Sequence, residues 1–460
     1  MEEVFDKDFV SYLIEAIGES KADAALNAMA EPPSVSIRLN PYKKINEEKG
    51  ERTSQSKTPV PWSPYGFILS ERPCFTTDPF FHSGAYYVQD SSAMFAGHLF
   101  RSIISSLPKI ERPLRVLDLC AAPGGKTTDL AASLREAFGD SFILVANEIS
   151  SQRAAVLSYN LARWGEPNVV VTSVDPGAFA SMEGFFDIII ADVPCSGEGM
   201  FRKDKEALRQ WSKDNVALCS ARQRRITADV WPALAEGGIF IYSTCTFNKY
   251  ENDCNVDWIS KELGADVLEA QASYEGLFKT ENGVCLIPGS VPGEGQYCAA
   301  LRKTGASFFK LKNHRPKILA RNENILSLFR SKMILKEKGG TIIAVPEIIA
   351  SEVEALSGLR PIMEGTAAGT LKGRDLVPHA DLALCILLGE AFPRAEVDKE
   401  TALAFLHKDT IALPEKNKGL WLICYGGLPL GFVKNLGNRC NNLLPQHRRI
   451  RMDIDCLVWE

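Results

Sequence analysis

Two cysteines follow apolar runs of the chain at nearly the same relative place. Cys195 comes directly after a proline in the stretch ADVPCSG, and Cys245 lies fifty residues later in the stretch YSTCTF. A cysteine thiolate is a soft nucleophile, whereas a single cysteine at the end of a strand is more often a small buried apolar residue. Because both cysteines are flanked by Ser or Thr and end successive apolar runs, the pattern favours nucleophilic chemistry over packing.

A tight turn, Pro123-Gly124-Gly125, indicates a ligand site at the start of a helix. A Walker A loop requires an earlier glycine at the position of Cys120, and no G-x-G-x-x-G fingerprint is present. The turn therefore favours neither a nucleoside triphosphatase nor a dinucleotide enzyme. What remains is a place where a ligand can approach bare backbone N–H groups at the start of a helix.

Acidic residues end three of the predicted strands that follow this turn: Glu148, Asp175 and Asp192. An acidic residue about 20 positions after such a turn is the usual partner of ribose hydroxyls. Asp175 is placed to accept a hydrogen bond from an adenine amino group. Like charges repel across a shared crevice, so a cationic ligand with an adenosine moiety suits these carboxylates. S-adenosylmethionine, with its sulfonium and ammonium groups, fits better than a nucleotide phosphate.

These residues lie on strands and helices that alternate from Leu114 onward. Short Val/Ile/Leu runs separated by amphipathic helices predict a parallel sheet covered on both faces. The fold class is therefore doubly wound, Rossmann-like α/β, with ligands beyond the carboxyl ends of the strands. The predicted strands are RVLDL, FILVANEI, VVVTSV, FDIIIADV and GGIFIYSTC, the helices begin near Lys126, Ser151 and Asp214, and VCLIPG and GQYCAALRK form a closing hairpin.

Four domains are predicted. Helical spacing in FDKDFVSYLIEAI and a strand at SVSIRLN indicate a small α+β cap at the amino end. Two apolar runs around a Gly/Pro turn in WLICYGGLPLGFVK indicate a small β-rich domain at the carboxyl end. The predicted domains are the cap (1–110), the doubly wound domain (111–303), a linker with a mixed connecting domain (304–385) and the β-rich domain (386–460).

Composition excludes several classes of protein. The chain has 460 residues, of which 45% are hydrophobic and 24% charged, as in folded globular proteins. An acidic amino terminus and the lack of long apolar runs predict a cytoplasmic protein without a membrane partner. Twelve scattered cysteines without a C-x-x-C pair, and only six histidines, predict neither disulfides nor a metal site. With a net charge of −5, any nucleic acid must be held by local basic patches.

Several motifs together resemble the Nop/Sun family of RNA cytosine-5 methyltransferases. Motifs in a common order with compatible spacing are more specific than any single one, and the match runs over roughly residues 80 to 303. The stretch PLGFVKNLGNRCNNLLP resembles the PUA-like RNA-binding domain of the bacterial RsmF type, which modifies small-subunit ribosomal RNA. The catalytic motifs are, in chain order, YYVQDSSAM, DLCAAPGGKT, ADVPCSGEGMFRKD, YSTCTFNKYEN and GEGQYCAAL.

The resemblance implies transfer of a methyl group from S-adenosylmethionine to carbon 5 of a cytidine in RNA, with small-subunit ribosomal RNA as the expected substrate. It implies that Cys245 adds to carbon 6 of the base and that Cys195 assists release of the product. Asp192 would contact the cytosine or the amine of the cofactor, and Glu148 and Asp175 would hold its ribose and adenine. Its methionine end would be lined by Cys120, Ala121, Ala122, Pro123, Gly124, Gly125 and Lys126.

Two alternative functions stay open at this point. A DNA cytosine methyltransferase would use Cys195 as its nucleophile, and a non-catalytic RNA-binding factor of ribosome assembly would keep the fold without the chemistry. The role of Lys126 is open as well, since it can orient Asp192 or meet RNA phosphate.

The target base must be unstacked to be attacked, so basic residues around the opening are expected to contact RNA phosphates. The residues expected in this role are Arg38, Arg202, Lys203 and the basic stretches 310–321 and 446–451.

Overall fold

The computed structural model of the chain describes residues 5–46, 57–108, 110–269, 274–305, 319, 322–373 and 375–452. The described part contains one ten-stranded sheet and three four-stranded sheets. The basic stretch 310–321 lies outside the described residues except for Leu319.

The amino-terminal part combines helices with a four-stranded antiparallel sheet of order β2-β3-β1-β4. The first helix follows the predicted periodicity, since Phe9, Leu13 and Ile17 recur every four residues and are buried. The Phe9 ring packs edge-on against Phe201, so this helix covers the loop that follows Cys195. The elements are α1 (Lys7–Ile17), α2 (Glu19–Met29), β1 (Val35–Leu39), β2 (Lys57–Pro59), β3 (Gly66–Leu69), α3 (Pro79–Ser83), β4 (Tyr86–Val88) and α4 (Phe95–Ser105).

The ten-stranded sheet confirms the predicted Rossmann-like α/β fold. Its central strands β7-β6-β5-β8-β9 are parallel, and the antiparallel strands β13, β12 and β11 extend it beyond β9. The strands are β5 (Leu114–Asp118), β6 (Phe142–Asn147), β7 (Val169–Thr172), β8 (Phe186–Asp192), β9 (Leu234–Thr244), β10 (Ala265–Leu268), β11 (Phe278–Lys279), β12 (Val284–Leu286) and β13 (Gln296–Lys303). The helices are α5 (Gly125–Phe138), α6 (Ser151–Trp164), α7 (Lys205–Gln210), α8 (Lys213–Val230) and α9 (Asp253–Leu263).

The central strands are mainly apolar because both faces of the sheet are covered. Successive residues of a strand point to opposite faces, and neighbouring residues accordingly enter different cores. Val116 packs into one hydrophobic cluster and Leu117 into the other, and the same alternation separates Leu144 from Val145. The carboxyl ends of the parallel strands are thereby held in one row by two packed layers.

Two further sheets follow the described part of the linker. One has the order β14-β15-β17-β18 and the other β19-β20-β21-β22, while β16 pairs with β7 at the edge of the ten-stranded sheet. The two apolar runs predicted in WLICYGGLPLGFVK form strands β20 and β21, which are antiparallel around Gly426 and Gly427. The elements are α10 (Glu323–Leu326), β14 (Met333–Lys338), β15 (Thr341–Pro346), α11 (Ala350–Ala355), β16 (Met363–Glu364), β17 (Thr366–Lys372), β18 (Asp375–Pro378), α12 (Ala380–Leu384), β19 (Arg394–Glu396), α13 (Lys399–His407), β20 (Gly419–Tyr425), β21 (Leu428–Asn435) and β22 (Cys440–Asn442).

Candidate active site

The two predicted nucleophiles meet at the carboxyl edge of the sheet. Cys195 follows β8 and Cys245 follows β9, which are neighbouring parallel strands with Asp192 opposite Ser243. The two sulfur atoms are 3.2 Å apart, and both side chains are partly buried. The hydrogen bond with Cys245, followed by burial, raises the pKa of the Cys195 thiol. The raised pKa disfavours the thiolate form of Cys195, and either sulfur can be the hydrogen-bond donor in this contact.

Asp192 lies at the end of β8 and is held on both carboxylate oxygens. Lys126 forms an ion pair of 2.8 Å with one oxygen. The other oxygen accepts hydrogen bonds from Ser243 at 2.6 Å and from Gln296 at 3.0 Å. Burial lowers the pKa of Lys126, but the Asp192 carboxylate outweighs this and leaves the pKa raised. Lys126 thus orients Asp192, which resolves the two roles considered for this lysine.

The predicted cofactor loop, residues 120–125, connects β5 to α5. Gly124 has φ of +110°, a backbone conformation that strains any residue with a side chain, and it precedes the first residue of α5. Backbone carbonyls of the loop accept hydrogen bonds from side chains of β4 and α6, which fix its course. The donors are Tyr87 at 3.0 Å and Asn160 at 2.8 Å to Pro123, and Arg153 at 2.9 Å to Ala122.

Buried carboxylates surround this loop. Glu148 follows β6, is 3% exposed, and accepts a 3.0 Å hydrogen bond from the Ser150 backbone N–H. Asp118 at the end of β5 is fully buried, and burial raises its pKa to about 7, with Asp192 and Glu148 adding to the effect. One oxygen of Asp118 has no hydrogen-bond partner among the described residues. The sequence prediction had passed over Asp118, although its position before the cofactor loop could have identified it.

Asp175 lies farther out than the other acidic residues. Its side chain is about half exposed and accepts a 3.0 Å hydrogen bond from the Gly177 backbone N–H, so it caps a short 3₁₀ helix after β7. Arg225 lies 3.5 Å from its second oxygen. The structure thus brings Cys120 to Lys126, Glu148, Asp192 and the two cysteines to one edge, with Asp175 at the rim.

Three family models match separate parts of the chain. Residues 5–91 match the N-terminal domain of 16S rRNA methyltransferase RsmF, residues 108–302 match 16S rRNA methyltransferase RsmB/F, and residues 392–450 match the methyltransferase RsmF PUA domain. A ribosomal RNA small subunit methyltransferase F from Shewanella oneidensis is 31% identical over 451 residues, which cover 92% of each chain.

The chain belongs to the RsmF family of 16S rRNA methyltransferases. A second RsmF-family relative, ribosomal RNA small subunit methyltransferase F from Cronobacter sakazakii, is 38% identical over 260 residues, which cover 54% of this chain and 52% of the relative. Among solved structures, a methyltransferase homolog protein from Pyrococcus horikoshii is 26% identical with a TM-score of 0.54, and the match covers 65% of this chain and 95% of that one. These matches confirm the predicted Nop/Sun resemblance and the PUA-like carboxyl end.

The RsmF-family chain differs from the prediction at two arginines that were expected to contact RNA phosphate. Arg38 is completely buried and donates to Gln89, Thr128 and the carbonyl of Gly125. Arg202 is only 8% exposed and pairs with Glu294 at 2.5 Å. Both predictions were wrong because buried acceptors bind these guanidinium groups inside the fold.

Two other basic elements of the prediction are more accessible. Lys203 is 32% exposed, although it forms ion pairs of 3.1 Å with Asp90 and 3.5 Å with Glu294. In the stretch 446–451, Arg449 and Arg451 are exposed, whereas Arg448 pairs with Asp381. These exposed side chains stay predicted RNA contacts of the RsmF-family protein.

The described residues contain no helix long and apolar enough to cross a membrane. Within the same residues, no group of three or more His, Cys, Asp or Glu side chains is arranged to hold a metal ion.

Proposed function

We propose that this protein transfers a methyl group from S-adenosylmethionine to carbon 5 of a cytidine in small-subunit ribosomal RNA, through a covalent bond between Cys245 and carbon 6. The observation that supports this most directly is the pair of thiols 3.2 Å apart at the ends of β8 and β9, next to Asp192. Membership of the RsmF family supports a ribosomal RNA substrate over the DNA and non-catalytic alternatives.

The acidic surroundings of the cofactor loop fit a cationic ligand. One buried oxygen of Asp118 has no hydrogen-bond partner among the residues that the structure describes. The charged form of Asp118 is disfavoured by burial and by the nearby carboxylates of Asp192 and Glu148. A bound cation would stabilise such a cluster, and S-adenosylmethionine supplies a methyl group on a positively charged sulfur. Residues 120–126 would hold its methionine end, Glu148 its ribose and Asp175 its adenine.

Cys245 is the better candidate for the attacking thiolate. Carbon 5 of cytosine is a poor nucleophile until a group adds to carbon 6, and a soft thiolate is suited to that addition. Because its hydrogen bond with Cys245 and its burial raise the pKa of the Cys195 thiol, Cys195 is the poorer candidate for the attacking thiolate. The Cys245–carbon 6 bond forms first, and carbon 5 can then accept the methyl group.

Release requires a base, a role open to solvent water, to take the proton from carbon 5. The electrons of that C–H bond restore the double bond between carbons 5 and 6 as the Cys245–carbon 6 bond breaks and its electron pair returns to sulfur. The thiol of Cys195 lies 3.2 Å from that sulfur and can donate a hydrogen bond to the departing thiolate. Asp192 is oriented by its pairing with Lys126, and an acceptor oxygen of a carboxylate suits the exocyclic amino group of cytosine and disfavours the carbonyl of uracil. The same contact would orient the base against Cys245.

The decisive experiment compares wild type, Cys245→Ala and Cys195→Ala, with Cys74→Ala, an exposed cysteine, as the control. Each is incubated with small-subunit ribosomal RNA from cells lacking the enzyme and with methyl-labelled S-adenosylmethionine. We expect Cys245→Ala to transfer no label and form no adduct, and Cys195→Ala to accumulate a protein–RNA adduct that is stable on a denaturing gel. Label is mapped to carbon 5 of cytidine by nucleoside mass spectrometry.

The opposite pattern would exchange the two roles. An adduct that persists in Cys245→Ala and vanishes in Cys195→Ala would make Cys195 the nucleophile. Competition with duplex DNA and with unrelated RNA tests the substrate, since only ribosomal RNA should reduce the transfer of label. Absence of transfer by the wild type to any small-subunit RNA, naked or in an assembling subunit, would overturn the proposed function.

A further inference from the structure

Two loops carry the cysteines: the first cysteine loop follows β8 and contains Cys195, and the second follows β9 and contains Cys245. A buried carboxylate of the first cysteine loop binds the backbone of the second cysteine loop. Glu198 lies three residues after Cys195 and is 1% exposed. One of its oxygens accepts hydrogen bonds from the backbone N–H groups of Phe247 at 2.6 Å and Asn248 at 3.1 Å, which follow Cys245. Its other oxygen accepts from the Trp211 indole at 3.0 Å. Glu198 thus fixes the backbone that follows Cys245.

A second buried carboxylate makes the same contact in the reverse direction. Glu251 lies in the turn after Cys245 and is completely buried. It accepts a 3.0 Å hydrogen bond from the backbone N–H of Ser196, the residue that follows Cys195, and a 2.7 Å bond from Gln223. Each cysteine loop therefore contributes one carboxylate that binds the backbone of the other loop.

Asn248 joins the two carboxylates. Its side-chain amide donates at 2.8 Å to Glu198 and at 2.9 Å to Glu251, while its oxygen accepts from the Glu251 backbone N–H at 3.0 Å. The hydroxyls of Ser196 and Thr246 add a further contact of 3.0 Å between the loops. These contacts form a closed network among the residues that directly follow Cys195 and Cys245.

Stability alone does not account for this arrangement. In the part of the chain that the structure describes, neither Glu198 nor Glu251 forms an ion pair with a basic side chain. Burying a carboxylate without a cation costs several kcal/mol, and burial raises the pKa of Glu251 to about 7. Carboxylates are nevertheless well suited here, because in their ionised form they accept hydrogen bonds from several converging N–H groups, and those bonds oppose the effect of burial on the pKa of Glu251.

We propose that Glu198 and Glu251 are positioning residues that hold Cys195 and Cys245 at the spacing needed for one thiol to attack the base and the other to assist its release. The inference rests on the proposed function for its chemical meaning. The spacing itself is a property of the protein without RNA or cofactor. It can therefore be tested separately from methylation.

The test substitutes each carboxylate by its neutral isostere, in Glu198→Gln and Glu251→Gln. The glutamine amide keeps the shape of the side chain and one acceptor oxygen. Its NH2 group replaces the other oxygen and then faces an N–H donor, such as the side-chain amide of Asn248. Glu236→Gln, an exposed position on β9, is the matched control. If either isostere fails to fold in a melting experiment, Asn248→Ala removes the shared amide and replaces it in the comparison.

The first measurement is the rate at which diamide converts the Cys195 and Cys245 thiols of the full-length protein into a disulfide, followed by mass spectrometry. Diamide takes up the two electrons and two protons that the thiols lose. We expect both glutamine variants to react at least about 10-fold more slowly than wild type and Glu236→Gln. The second measurement is methyl transfer, where kcat should fall by about 100-fold, the cost of misplacing reacting groups by about 1 Å. The KM for S-adenosylmethionine should stay near the wild-type value.

Equal oxidation rates in the glutamine variants and wild type would overturn the positioning role, whatever happens to methylation. An unchanged kcat with slowed oxidation would also overturn it, because the spacing would then be irrelevant to the reaction. If wild type transfers no methyl group to RNA, the proposed function fails, whereas the oxidation rates still decide whether the carboxylates set the spacing. Slower oxidation together with a lower kcat and an unchanged KM supports the proposal.

Discussion

The buried carboxylate of Asp118 should make the ligand-free protein less stable as the pH rises, and Asp118→Asn should remove that dependence. Asp118 is fully buried at the end of β5. It accepts a 2.6 Å hydrogen bond from Thr127 on one oxygen, while the other has no hydrogen-bond partner among the described residues. Burial raises its pKa to about 7, so the folded protein binds a proton that the unfolded chain releases at lower pH.

The sign and size of the effect follow from this difference in pKa. An aspartate in an unfolded chain ionises near about pH 4, so stability from this group falls steadily between about pH 4 and 7. Raising the pH from about 5 to about 8 crosses roughly two units of that window, which corresponds to about 3 kcal/mol of unfolding free energy. Asparagine cannot ionise, so the variant should not lose this amount.

Calorimetric melting of ligand-free wild type and Asp118→Asn at the two pH values measures the effect. Comparing the pH dependence of Tm in the two proteins, rather than Tm at one pH, removes any effect of the substitution on stability that does not depend on pH. For a domain of roughly 200 residues, about 3 kcal/mol shifts Tm by about 6 to 12 °C. Asp266→Asn, an exposed carboxylate on β10, is the control and should follow wild type. An identical pH dependence of Tm in wild type and Asp118→Asn would refute the reasoning.

Three further substitutions test the framework of the site. Arg38→Met should lower the unfolding free energy by about 3 to 5 kcal/mol in urea, because the buried Asp129 carboxylate and the acceptors on Gln89 and Gly125 lose this partner. The salt dependence of RNA binding should stay unchanged, and a flatter salt dependence would restore the phosphate role. Gly124→Ala should lower the free energy of unfolding by about 1 to 3 kcal/mol and weaken the binding of S-adenosylmethionine in calorimetry, since φ is +110° and the new Cβ would lie 3.2 Å from Leu157. An unchanged melting temperature together with unchanged binding would contradict this. Lys126→Met should lower kcat/KM by about 10- to 150-fold, which is the contribution expected of a hydrogen bond to a charged group, and Lys126→Arg should restore part of the loss. Equal activity of Lys126→Met and wild type would show that Asp192 does not depend on Lys126 for its orientation.

The thiol pair and the acidic edge make opposite electrostatic demands on the same small region. Carboxylates around the cofactor loop favour a cation, whereas the proposed reaction needs an anionic Cys245 after the neighbouring strand β9. Lys126 pairs with Asp192 at the end of β8, so a positive charge lies at the same edge as the carboxylates. Loss of that lysine should therefore affect the thiol chemistry more than binding of the cofactor.

The elements that support the site were predictable from sequence because they depend on local patterns. Runs of branched apolar residues predicted each parallel strand, and the helices predicted from about 126, 151 and 214 begin at Gly125, Ser151 and Lys213. Placement of the cysteines and carboxylates at strand ends follows directly, since the ends of parallel strands share one edge of a sheet. The family motifs then supplied the expected chemistry, and the comparisons confirmed the family.

The contacts that adjust this chemistry depend on tertiary packing. Arg202 and Lys203 are adjacent basic residues with the same sequence signal, yet the Arg202 side chain is 8% exposed and the Lys203 side chain 32%. Both pair with Glu294, but Arg202 also donates to the backbone carbonyls of Ala28 and Gly293. Arg38, Glu198 and Glu251 are charged residues that a sequence pattern assigns to the surface, and all three are buried. Their burial is compensated by hydrogen-bond partners far away in the chain, such as Thr128 for Arg38. A charge is buried only where folding brings such partners to it, so local sequence predicts the scaffold and the reactive residues but not the groups that hold them.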